Sequence, residues 1–303
     1  MIEAGVVVLR WVQFLSATAA LGLPLFVLYA PASLRTGAGS MRRLVLASIA
    51  VLALSAGAGL LLQTAMMAGA ASAALDPTAV AYVAQSTELG GAHIARAGLA
   101  LAAALVLIVG RGGVAARWIA VAPLSGAVAS FAWSGHGAST GGGAGVLHLA
   151  ADIVHAWGAA LWLGALMAFG LLLARSGGAD PRALAKALCG FANVGTATVA
   201  ILTVTGIINA VFLVGPANLA ALGTSAYGLL LSAKVAVFLA MLAMAARNRF
   251  VLTPALTRAF AAGDDAGIVL SRLRSSVLWE LGAGVVLLGL VAALGVQMPP
   301  IAM

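Results

Sequence analysis

The chain has 303 residues, of which 63% are hydrophobic and only 8% charged, with 37 glycines and a mean hydropathy of +1.12. A soluble domain carries about a quarter charged residues, so this composition excludes one and describes a polytopic membrane protein. A single cysteine, Cys189, excludes internal disulfides and Cys-x-x-Cys metal sites. The net charge of +8 is concentrated in loops on one side, where it orients a membrane protein rather than binding nucleic acid.

A spanning helix needs roughly 20 mostly apolar residues. Eight such stretches follow in chain order, at approximately 4–30, 44–70, 92–110, 117–134, 147–174, 187–214, 226–246 and 276–297. The first opens after Met1-Ile2-Glu3 rather than a basic segment and outruns a signal-peptide core, so it is expected to be retained. The connections 31–43, 111–117, 175–186 and 247–275 hold thirteen of the sixteen basic residues, whereas 71–91, 135–146 and 215–225 hold none. The positive-inside rule then places the basic loops in the cytoplasm and both termini outside. No connection is long enough for a folded domain, so residues 1–303 are expected to form one all-α transmembrane unit whose function lies in its helices.

A weak internal similarity divides that unit. Gln13 stands nine residues before Gly22 as His155 stands nine before Gly164, and Gly90 to Arg96 matches Gly228 to Lys234. Two four-span halves, 1–134 and 147–297, both starting outside, would be parallel repeats with binding near their interface.

Ionisable side chains inside a bilayer cost several kilocalories each, so those present tend to face a cavity, a partner or a ligand. The strongest group is His148, Asp152 and His155 at the start of the fifth span. At 100° per residue they leave the helix within an arc of about 60°. His148 and Asp152 lie about 6 Å apart along the axis and His148 and His155 about 10 Å, which favours an outer level and a deeper one. His136 ends the fourth span, and five glycines among residues 137–147 allow it to return to the outer level. Imidazole suits copper, zinc, iron and nickel, and a carboxylate adds compensating charge. Met66 and Met67 are soft donors that would favour Cu(I), with core packing as their plainer role; His93 is a further possible ligand. Gln13, Arg96, Asn209 and Lys234 are expected as polar neighbours, with Arg96 and Lys234 approaching Asp152 from similar depth. Glu280, near the inner end of the last span, is a possible exit group; Trp133, Trp157 and Trp162 are belt or packing residues.

Absences narrow the field. Neither Lys186 nor Lys234 follows a glycine, so no P-loop binds nucleotide and ATP does not drive the protein directly. No His-Glu-x-x-His or Gly-x-Ser-x-Gly is present, which removes common metalloprotease and hydrolase readings.

Ser134-Gly135-His136, Leu147-His148 leading through Asp152 and His155 to Ala160-Leu161-Trp162-Leu163-Gly164, then Gly206-Ile207-Ile208-Asn209-Ala210, Tyr227-Gly228 through Lys234, and Asn248-Arg249-Phe250 with Pro254 together resemble the copper resistance protein D (CopD) family. The likeness runs from about residue 5 to 297. It implies an eight-helix protein of the bacterial inner membrane with periplasmic termini, linked to copper tolerance and uptake and often served by a small periplasmic copper carrier, CopC. By position His136, His148 and His155 match the family's recurring histidines. Relatives often carry a histidine where this chain has Gln13.

Three functions are therefore expected to compete. The first is a copper permease, not an enzyme, which captures the ion at the outer mouth and passes it inward. The second is a redox protein holding haem b between histidines. The third is a copper sensor or assembly partner that transports nothing.

Overall fold

The segments predicted to span are apolar on all faces rather than along one stripe, which suits helices surrounded by lipid and by one another. In the computed structural model, which describes residues 2–30, 38–135, 138, 140–174 and 181–302, they form helices, and no strand occurs among the described residues. The α-helices are α1 (Ile2–Tyr29), α2 (Ala38–Ala68), α3 (Pro77–Ser86), α4 (Glu88–Val109) and α5 (Val114–Ala129), followed by α6 (Gly142–Ala174), α7 (Pro181–Leu213), α8 (Ala226–Arg247), α9 (Thr253–Ala262) and α10 (Gly267–Leu294). Eight helical rods are long and apolar enough to cross a membrane. The protein is an all-α, multi-pass membrane protein.

Two elements depart from the expected pattern. Residues 247–275 are not a loop: α8 runs on through a π-helical turn at Asn248–Leu252 into α9, giving one rod over Ala226–Ala262. Hydropathy falls at Asn248 and Arg249, but nothing there stops helix propagation, and Pro254 sits in the first turn of α9, where its missing N–H costs nothing. The short helix α3 was not foreseen, because ten residues are too few to span. Asp76 caps it by accepting from the Thr78 N–H at 2.9 Å, and Pro77 opens it.

Helices α1 and α6 form the centre. In α1, 67% of the most apolar window is buried, and in α6 61%, against 6% for the α8–α9 rod. They cross at Gly22 and Gly164, where a Cβ on either residue would overlap the backbone of the other helix. Around this crossing α1 packs on α2, α5 and α10, and α6 packs on α7, α10 and α5. Helix α4 fills the space between α2 and α5; α8 packs on α10 but forms no comparable seam with α7.

One corner is built twice. The Thr87 hydroxyl accepts from the Gly90 N–H and donates to the Val83 carbonyl at 2.7 Å; the Ser225 hydroxyl accepts from the Gly228 N–H and donates to the Ala221 carbonyl at 2.8 Å. A side chain on Gly90 would strike the Val83 carbonyl, and one on Gly228 the Ala221 carbonyl. Each corner opens a helix with a cation six residues after its glycine, the fully buried Arg96 or the half-buried Lys234.

Candidate functional site

His148, Asp152 and His155 of the fifth span each meet the antiparallel helix α7. His148 is 1% exposed and stacks on Phe212, with ring centroids 4.7 Å apart and planes 11° from parallel. One turn deeper Asp152 Oδ1 accepts from Asn209 Nδ2 at 3.2 Å. A further turn in, His155 Nδ1 lies 2.9 Å from the Thr205 hydroxyl, beside Gly206. These three rungs descend in step on both helices, as two antiparallel helices with 3.6-residue turns require.

The hydrogen bonds fix the tautomer of the deepest ring. The Thr205 hydroxyl has one proton, and it goes to the Ile201 carbonyl at 2.7 Å. Its oxygen is therefore an acceptor toward His155, whose Nδ1 must carry the ring proton, leaving the Nε2 lone pair free to ligate a metal. His148 Nδ1 meets the Thr140 hydroxyl at 2.9 Å, in the glycine-rich connection that precedes α6.

Asp152 is the electrostatic hub. Lys234 lies within charge–charge reach of Asp152, as expected, and also of His155, and Tyr227 also feels the Asp152 charge. The third group is Arg10 of the first span, which sequence reasoning left out. A signal for it existed: Arg10 precedes Asp152 by the same 142 positions that separate Gln13 from His155 and Gly22 from Gly164.

Arg96, expected near Asp152, goes elsewhere. It is fully buried in a second cluster formed by α1, α2, α4 and the end of the fourth span. Its Nη1 donates to Gln13 Oε1 at 3.0 Å and to His93 Nδ1 at 3.4 Å; its Nε and Nη2 donate to Ser130 Oγ, the Ser130 carbonyl and Ser134 Oγ. The guanidinium stacks on Phe131, 3.7 Å from the ring centre. Its direction around the helix was misread, because a side chain's azimuth depends on which neighbour its helix packs against. Gln13 Nε2 in turn donates to the Ser55 carbonyl at 2.7 Å. A cavity of about 260 Å³ opens on this cluster and not on the fifth span; Arg10, Gln13, Met66 and His93 are among its walls.

The remaining candidates divide between these places. His93 and Met66 belong to the cavity side, and Met67 is 54% exposed with no role in either cluster that the structure supports. His136 lies outside the described residues. Among the described residues no three His, Cys, Asp or Glu side chains gather tightly enough to hold one ion. That follows from the stacked geometry, since His148 and His155 occupy separate rungs. Glu280 is 1% exposed and accepts from Trp162 Nε1 at 3.2 Å and Asn248 Nδ2 at 3.0 Å. Trp162 is thus a buried hydrogen-bond donor as well as a packing residue.

Comparison with known proteins gives the family of the chain. The family profile described as copper resistance protein D-like, N-terminal domain, matches residues 1–146, and that of copper resistance protein D matches residues 185–294. Copper resistance protein D of Pseudomonas syringae pv. tomato is 38% identical over 293 residues, covering 92% of this chain and 91% of that protein. The chain belongs to the copper resistance protein D family. No solved structure matches it. Family membership gives this multi-pass protein a copper-related membrane function.

Proposed function

We propose that the protein is a copper permease of the bacterial inner membrane, with both termini in the periplasm and no catalytic step. His148 and Asp152, joined by His136, capture the ion at the periplasmic mouth; His155 receives it one level deeper; Glu280 serves release toward the cytoplasm. The observation that carries this reading is the α6–α7 seam, in which the hydroxyl of Thr205 leaves His155 with an open Nε2 lone pair below a carboxylate. Lys234 and Arg10 beside Asp152 oppose long residence of a cation, and conduction needs sites that bind and also let go. The excess of basic residues in alternate loops supports the orientation. A separate periplasmic carrier of the CopC kind is the donor in this scheme.

The test is copper flux into vesicles containing the purified chain alone. Uptake should fall to background when His148 and His155 are both replaced by Ala. Uptake unchanged by that double substitution would overturn the permease, copper bound without flux would leave the sensor or assembly role, and a stoichiometric Soret band without copper would substitute haem.

The same reading treats spans 1–4 and 5–8 as copies in a parallel repeat. It is supported by the contact of Gly22 with Gly164, the equivalent glycines of the two halves, and by the two identical corners at Thr87–Gly90 and Ser225–Gly228.

A further inference from the structure

We propose that the cavity of the first four spans is a binding site for one small monovalent anion of the halide or carboxylate class, held by Arg10 and the ring N–H of His93 and backed by Arg96. The cavity, about 260 Å³, has far more room than a single water needs. Its polar walls are Arg10, Gln13, Gln63, His93 and Ser134, with the Glu3 carboxylate also in the lining. Arg96 is 0% exposed, and every acceptor it reaches, on Gln13, His93, Ser130 and Ser134, is uncharged. Arg10 donates to the Ser134 carbonyl at 2.7 Å, while its buried Nε has no partner. The two guanidiniums repel one another. Of the two guanidiniums only Arg10 feels the Asp152 charge, from the other side, and it shares that charge with Lys234, so the positive charge of the pair is not fully balanced.

The tautomer of His93 is the reverse of that of His155. A guanidinium can only donate, so the contact from Arg96 makes His93 Nδ1 an acceptor and puts the ring proton on Nε2. His93 therefore offers the cavity an N–H and no lone pair. Gln13 is locked in the same sense, its oxygen turned to Arg96 and its amide to Ser55. A metal ion would meet two cations and no free nitrogen here, whereas an anion would meet a charge and two donors. Glu3 stands on the rim, exposed and two turns up the helix from Arg10, about 10 Å along its axis.

This inference stands apart from the copper reading, and its test contains no copper. The full chain, purified in detergent in gluconate buffer with chelator, is titrated calorimetrically with sodium chloride and with sodium formate. One saturable site is expected in the parent protein. Arg10→Gln and His93→Phe should weaken binding at least tenfold, and Gln63→Glu, which supplies a negative charge from the cavity wall, should abolish it while keeping the thermal midpoint. Gly59→Ala, whose new methyl would press on the His93 ring, should weaken binding in a folded protein. Added phosphatidylglycerol that displaces chloride, where phosphatidylcholine does not, would assign the site to a lipid phosphate; chloride binding indifferent to both would assign it to a free anion. No saturable heat in the parent, or parent-like binding in folded Gln63→Glu, would overturn the proposal.

Discussion

The first and last four spans place different chemistry on matching helix positions. Where α6 carries His148, Asp152 and His155, α1 carries Val6, Arg10 and Gln13 at the same spacing. The partners differ accordingly. In the first half Arg96 saturates its donors on neutral oxygens and one imidazole, and a cavity lies beside it. In the second half Lys234 stays at electrostatic range of Asp152 and His155, and Thr205 frees a nitrogen lone pair. The packing differs too, since α4 seals against α2 whereas α8 leaves no such seam with α7. The lesson is that helices of similar composition place a carboxylate and two imidazoles in one seam and two guanidiniums in another cluster.

The largest expected effect tests what the halves share. Gly22→Val drives a branched side chain into the Ala160 carbonyl and the Gly164 backbone. Backbone cannot swing aside, so the cost should reach the upper end of overpacking penalties, about 3 kcal/mol or more, measured as loss of the folded fraction in detergent. A variant as stable as the parent would mean that the α1–α6 crossing is not the axis of the bundle. Thr205→Val comes next and bears only on the second half. It removes the acceptor that holds the His155 proton on Nδ1, so copper affinity should drop about 10- to 100-fold with little change in stability, read by competition against a copper chelator. Equal affinity would show that the Nε2 face of His155 is not what binds copper.

The number of spans was legible because each exceeds bilayer length and is apolar all round, a signal that needs no tertiary information. Their ends moved by a few residues, and the region after Arg247 was misread because hydropathy reports the lipid boundary and not the helix end. The column His148, Asp152, His155 was legible from helical spacing alone. Its partners Phe212 and Thr205 were not, since nothing in local spacing states which turn of α7 faces which turn of α6; Asn209 was found only as a polar residue at suitable depth. The assignment of Arg96 to Asp152 failed for the same reason, whereas Lys234 does reach the Asp152 charge; Arg10, which joins it there, was signalled only by its 142-residue spacing from Asp152.

The smallest expected effect sharpens the comparison most. Resemblance to the family suggests a histidine at the position of Gln13, which invites the idea that Gln13→His would create a second copper site opposite His155. The hydrogen bonds argue otherwise. Gln13 accepts from Arg96 at 3.0 Å and donates to the Ser55 carbonyl at 2.7 Å. A neutral imidazole has one accepting and one donating nitrogen, so it can replace both roles and then has no lone pair left. Gln13→His should therefore leave the copper content of the purified protein unchanged by elemental analysis, and its stability within about 1 kcal/mol, the worth of one hydrogen bond. A doubled copper content would mean that the guanidinium of Arg96 yields to a metal, and the first half would then be a second cation path rather than the donor-lined counterpart of the first.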